Sequence, residues 1–164
     1  LQVNNELDKN LRNMNLFDQV SEDIKKAMLA RDKVRLEALR GAKKEFLEAK
    51  TAKGANGELS DENATKIIVK MVKQRKESAK IYQENNRQEL ADNELAEAAV
   101  LEEYLPKQLS ADELEAELRT IVAETGAAGP RDMGKVMGIA SKRLAGRAEG
   151  RAISEAVKNI LNSL

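Results

Sequence analysis

The sequence predicts an all-α, multihelical protein: an N-terminal helical subdomain followed by a small C-terminal three-helix subdomain. Three observations carry the prediction. Apolar residues recur at spacings of three and four along most of the chain, the signature of amphipathic helices. Only Pro106 and Pro130 stand as prolines in 164 residues. Two Phe, two Tyr and no Trp leave little of the aromatic material that sheets favour. The balance of 34% charged to 41% apolar residues suits helices that are wet on one face.

Residues 1–13 are polar and rich in Asn. They read as an extension outside the fold, either non-native or frayed. Residues 14–108 form the N-terminal subdomain. Leu16, Val20, Ile24, Ala27 and Met28 mark a first helix. After a break near Arg31–Asp32, Leu36, Leu39, Ala42, Phe46 and Leu47 mark a second, which runs to about Lys50. Gly54-Ala-Asn-Gly57 is a loop signal. Ser60 caps a long helix to about Asn85, with Ala64, Ile67, Ile68, Met71, Val72, Ala79 and Tyr82 inward. Lys66, Lys70, Lys73 and Lys80 fall on its opposite side, interrupted by Glu77. An acidic helix over roughly residues 87–105 is stopped by Pro106, because a residue before proline avoids the helical region.

Residues 109–164 form the C-terminal subdomain. Ser110 and Glu113 have capping-box spacing, each able to satisfy an orphan backbone N–H. The helix they open carries Leu114, Leu118, Ile121 and Val122, and Gly126 supplies a left-handed cap. Pro130 sits where the next helix starts and its missing N–H is harmless. Met133, Val136, Met137, Ala140 and Leu144 form that helix's stripe. Gly146-Arg-Ala-Glu-Gly150 turns into a last helix with Ile153, Ala156, Val157 and Ile160.

Composition narrows the chemistry. With no Cys there is no thiolate nucleophile, disulfide or Cys-bound metal. With no His, the commonest general base and transition-metal ligand is missing. Neither a cofactor nor a metal site is expected. Gly54–Gly57 lacks the Lys-Ser/Thr of a phosphate loop. Glu102 and Glu103 sit among solvated acids rather than facing each other in a pocket. Asp112, Glu113, Glu115 and Glu117 complement a helix dipole rather than cage a metal. No apolar run approaches the length of a membrane span, and no basic start precedes an apolar stretch, so the expected location is cytoplasmic.

The net charge is zero but segregated. Residues 25–82 hold 16 basic and 8 acidic side chains, residues 83–124 hold 3 and 12, and residues 126–164 hold 7 and 3. Local fields of this kind attract anions despite overall neutrality, although differently charged solvated faces give the same count. On the helix after Pro130, Arg131, Lys135 and Lys142 lie opposite the apolar stripe, flanked by Gly134 and Gly138. Two mid-helix glycines cost about 1 kcal/mol each relative to Ala. Close approach of another helix is the commoner compensation, and approach of a phosphate backbone is the other. Arg143, Arg147 and Arg151 extend the basic region. With no aromatic residue beside them, any RNA contact would read phosphate and shape. Arg75 projects among inward apolar positions. It either snorkels outward or pairs with a carboxylate of the acidic helix, a structural role in both cases. Arg75→Ala is therefore expected to destabilise the protein more than Lys73→Ala.

Leu101-Glu-Glu-Tyr-Leu-Pro-Lys-Gln-Leu109, Asp132-Met-Gly-Lys-Val-Met-Gly138 and Gly146-Arg-Ala-Glu-Gly150 together resemble the GatB/YqeY-domain family, in particular its free-standing YqeY-like proteins. Leu39-Arg40 and Lys73-Gln-Arg-Lys-Glu-Ser78 extend the likeness over residues 14–164. One departure is Glu149, where the family often carries the better-capping Asp or Asn. In the B subunit of the glutamine-dependent tRNA amidotransferase this domain forms a helical tail associated with the tRNA. The chemistry of that enzyme lies in regions that nothing here resembles. The resemblance thus implies a non-catalytic accessory domain with tRNA or another structured RNA as partner, engaged through the C-terminal subdomain, where the basic residues read above, Arg131, Lys135, Lys142, Arg143, Arg147 and Arg151, are the candidate contacts. The alternatives are a protein–protein interaction module working with tRNA-charging or amidotransferase proteins, and an accessory to a carbon–nitrogen ligase that uses glutamine as amide donor.

Overall fold

A computed structural model describes residues 14–164, and the extension at residues 1–13 lies outside the described part. Among the described residues there are seven α-helices and no strand. The chain divides into two compact units, the first ending at Tyr104 and the second spanning Leu105–Leu164.

Four helices make the first unit: α1 (Leu16–Ala30), α2 (Lys33–Thr51), α3 (Asp61–Glu84) and α4 (Gln88–Glu102). Side-chain caps start three of them. Asn15 accepts from the Asp18 N–H at 2.8 Å, Asp32 from Arg35 at 3.1 Å and Ser60 from Asn63 at 3.1 Å. Each satisfies one of the donors that a helix start leaves orphaned. Arg31 ends α1 in the left-handed region, at φ 55°. Val20, Leu39, Phe46, Ile68 and Leu101 are fully buried and form the centre of the core.

Two inward assignments fail. Met28 is 53% exposed and Leu47 is 46% exposed. Each follows directly on a buried residue, Ala27 and Phe46 respectively. Successive helical side chains diverge by about 100°, so the second of each pair turns toward the rim. The acidic helix also ends earlier than its periodicity suggests, at Glu102. The next two side chains are drawn back onto other helices. Glu103 accepts two bonds from the Arg35 guanidinium, at 2.6 and 3.1 Å, and the Tyr104 hydroxyl donates to Asp23. The Arg35 hydrogen bonds hold the Glu103 carboxyl below the usual range. Burial, followed by the Asp23 bond, pushes the Tyr104 phenol up.

The second unit contains α5 (Ala111–Thr125), a 3₁₀ turn (Pro130–Asp132), α6 (Met133–Arg143) and α7 (Gly150–Asn162). Both capping-box bonds at Ser110 are made. Gly126 closes α5 at φ 69°, a conformation only glycine adopts without strain. Glu149 precedes α7 but makes no side-chain capping bond to it, in keeping with its longer reach. Leu118, Ile121, Val136, Leu144, Val157 and Leu161 are fully buried in this unit's own core. The segment leading into α5 is clipped to the turn before α7. The Leu109 N–H donates to the Arg147 carbonyl at 2.9 Å, and the Gln108 amide donates to the Gly146 carbonyl. Because this core is self-contained, a fragment of residues 105–164 is expected to fold alone. Circular dichroism should give a cooperative helical melt, and a featureless coil spectrum would overturn the expectation.

Candidate nucleic-acid interface

The outer face of α6 gathers several of the basic candidates. Val136 and Ala140 are buried, which turns Gly134, Lys135, Gly138 and Lys142 to solvent, and all four are exposed. At about 100° per residue these four fall within a single arc of roughly 100°. Arg131, exposed in the preceding 3₁₀ turn, stands at its N-terminal end. A Cβ built on Gly134 or Gly138 meets nothing within 4 Å. Close approach of another helix therefore does not account for these glycines among the described residues, and the face is left open. Changing each to Ala is expected to stabilise the protein, by up to about 1 kcal/mol per site from helix propensity. A urea titration measures this, and a loss of stability would reveal a packing role.

The six basic candidates do not behave alike. Lys135 donates to the Thr125 carbonyl at 3.0 Å, so its ammonium helps to cap the end of α5. Arg143 pairs with Glu124 at 2.8 Å, and Arg151 with Glu155 at 3.1 Å. Arg147 is partly buried, and its Nε points to the Lys107 carbonyl at 3.4 Å. It clips the entry segment to the turn, which ties it to the unit's integrity. Among the described residues Arg131 and Lys142 have no ion-pair partner, and both are exposed, which leaves them accessible to an outside anion. Residue type and periodicity could not separate these roles, because Glu124 and the Thr125 carbonyl come from a neighbouring helix.

The other candidates resolve into local structure. Glu102 pairs with Lys76 at 2.6 Å and Glu103 with Arg35, so the two acids serve different helices. Glu113 closes the capping box, and its hydrogen bonds at Ser110 lower its pKa. Glu115 pairs with Arg119 at 2.8 Å. On α3, Lys66 pairs with Glu62 at 3.4 Å, while Lys70 and Lys80 are exposed. Arg75 lies between α2 and α4, its Nε 3.8 Å from Glu97. Both partners belong to the first unit. Sequence reading missed Gly41: a Cβ there would stand 3.3 Å from an Arg75 guanidinium nitrogen, so its absence makes room for the cation.

Fold and surface together define a helical protein of two compact units, whose second unit presents a glycine-floored basic face. The chain belongs to the YqeY-like protein family, whose model matches residues 17–161. It is 30% identical over 90 residues to altered inheritance of mitochondria protein 41, mitochondrial, of Clavispora lusitaniae, covering 55% of this chain and 51% of that one. With the protein of the same name from Kluyveromyces lactis it shares 31% identity over 85 residues, covering 52% and 45%. The matches thus span about half the length of these curated relatives. Their names place those relatives in mitochondria, so the comparisons do not bear out the cytoplasmic expectation for this chain. Among the described residues, no helix is long and apolar enough to cross a membrane.

Proposed function

We propose that this protein is a non-catalytic accessory module that holds structured RNA, with tRNA the leading candidate, through the α6 face of its second unit. The observation that supports this most is the pairing of Arg131 and Lys142, both without an ion-pair partner among the described residues, with two glycines that no other described residue packs against. Charge left uncompensated on an open, side-chain-poor helix surface suits a phosphate backbone. The likeness to the helical tail of the tRNA amidotransferase points the same way. With neither His nor Cys, chemistry in this chain would have to rest on carboxylates, Lys, Tyr or Ser, and the reading assigns catalysis to partners.

A gel-shift titration with total tRNA at low and high salt tests the reading. Wild type should bind at low salt and release as salt rises. The double change Arg131→Glu with Lys142→Glu should weaken binding strongly and lower the salt slope by about one unit for each lost phosphate contact. Arg147→Glu is a poorer probe, because it also breaks the clip to Lys107. If reversing Lys70 and Lys80 abolishes binding while the α6 double variant retains it, the surface is wrongly assigned. Absence of any salt-dependent binding by wild type would favour the protein-interaction reading.

A further inference from the structure

Building on the RNA reading above, we infer that the ligand of the α6 face is the sugar–phosphate surface of double-stranded, A-form RNA, met on its shallow minor-groove side. Three features select this partner. First, residues 105–164 contain no Phe, Tyr or Trp, so the second unit offers no aromatic platform for an unpaired base, only Arg guanidinium planes. Proteins that grip single strands rely on such stacking. Second, the face is open where its two glycines stand. Lys142 stands nine residues beyond Met133, the start of α6, roughly 14 Å along the helix at 1.5 Å per residue, and Arg131 precedes that start in the 3₁₀ turn. Between them Gly134 and Gly138 leave the helix backbone bare. Two separated cations with a low floor between them suit a broad, shallow ligand surface rather than one flexible strand.

Third, bare helical backbone offers a means of telling RNA from DNA. Each helical carbonyl spends one lone pair on its intrahelical bond and keeps a second. A side chain normally covers the turn N-terminal to its own Cα. At Gly134 and Gly138 that cover is missing, so a ribose 2′-OH can reach the backbone and donate to it. The wide minor groove of A-form RNA displays those hydroxyls, whereas its major groove is too deep and narrow for side chains to enter. Charge complementarity attracts the duplex, and the glycines admit it.

The test uses the full chain and four probes: total tRNA, a 16-base-pair RNA duplex of about the span one double-stranded-RNA domain covers, one strand of that duplex, and the DNA duplex of the same sequence. Duplex RNA should bind within a few-fold of tRNA, with the single strand and the DNA at least about tenfold weaker. Gly138→Leu supplies the second arm. The added side chain meets nothing in the protein and should raise Tm, yet it should weaken duplex RNA binding about tenfold or more by blocking the floor. Equal binding of single-stranded RNA or of DNA would overturn the duplex assignment while leaving RNA association intact. Unchanged RNA binding by a well-folded Gly138→Leu would overturn the face. If none of the four probes binds at low salt, the RNA reading itself falls.

Discussion

Arg75→Ala is expected to destabilise the first unit by about 2–3 kcal/mol, where an exposed lysine such as Lys80 changed to Ala should stay within about 0.5 kcal/mol. Lys80 is a better comparison than Lys73, which takes part in an interaction of its own. Arg75 and Glu97 have side chains only 21% and 13% exposed, and Gly41 stands close against the guanidinium. Removing the cation strands Glu97 among carboxylates. Burial is the largest influence on Glu97 and pushes its pKa up, Arg75 pulls it down, and Glu94 and Glu37 push it up again. The loss stays below the roughly 3–5 kcal/mol of a fully buried pair, because the ions stand 3.8 Å apart and retain some solvent.

Glu97 also gives the variant a pH signature. A carboxyl whose folded pKa lies above its unfolded value binds more protons in the folded state between the two. Stability contributed in this way is fully present below the unfolded pKa and fades as pH rises through the folded one. Deleting Arg75 removes the one influence that opposes this shift among neighbouring charges, so the pH dependence should steepen. Urea titrations should show Arg75→Ala recovering stability between pH 7 and pH 5 relative to wild type. Glu97→Gln introduced into the same background should restore part of the loss at pH 7. Identical stability of the single and double variants at pH 7 would mean that lost packing, not a stranded charge, is responsible.

Helices were legible in the sequence because their evidence is local. Ser60, Ser110 and Gly126 announce their caps within four residues, and the structure makes those caps. The carboxyl end of α4 was less legible, because what ends it is distant: Arg35 lies 68 residues from Glu103 and Asp23 lies 81 from Tyr104. Met28 and Leu47 were misplaced for a related reason. Periodicity gives a stripe's direction, while packing geometry sets its width. Within the candidate face, periodicity located the glycines and the cations correctly on one side of α6. It could not reveal that Lys135 and Arg143 are tied to the end of α5, since those partners arrive through tertiary structure. Nor could it distinguish a glycine kept for a neighbouring helix from one with open space beside it.

The second unit should be the more fragile of the two, and Leu118→Ala is the change expected to expose this. Leu118 is fully buried in a core that a 60-residue unit must supply by itself. A unit of that size has a net stability of about 3–9 kcal/mol, from roughly 0.05–0.15 kcal/mol per residue. Truncating a buried leucine costs about 3–5 kcal/mol, part from lost burial and part from the cavity left behind. The loss is therefore comparable to the unit's whole stability. Near room temperature, amide resonances of α5–α7 should broaden or collapse while those of α1–α4 persist, and thermal melts should separate into two transitions. RNA retention should disappear with the first transition although Arg131 and Lys142 are untouched, because the α6 face exists only while Val136, Ala140 and Leu144 are packed against Leu118 and its neighbours. One transition, lowered equally for α1–α4 and α5–α7, would mean that the two units unfold together. Retention of RNA by the collapsed second unit would move the binding surface to the first.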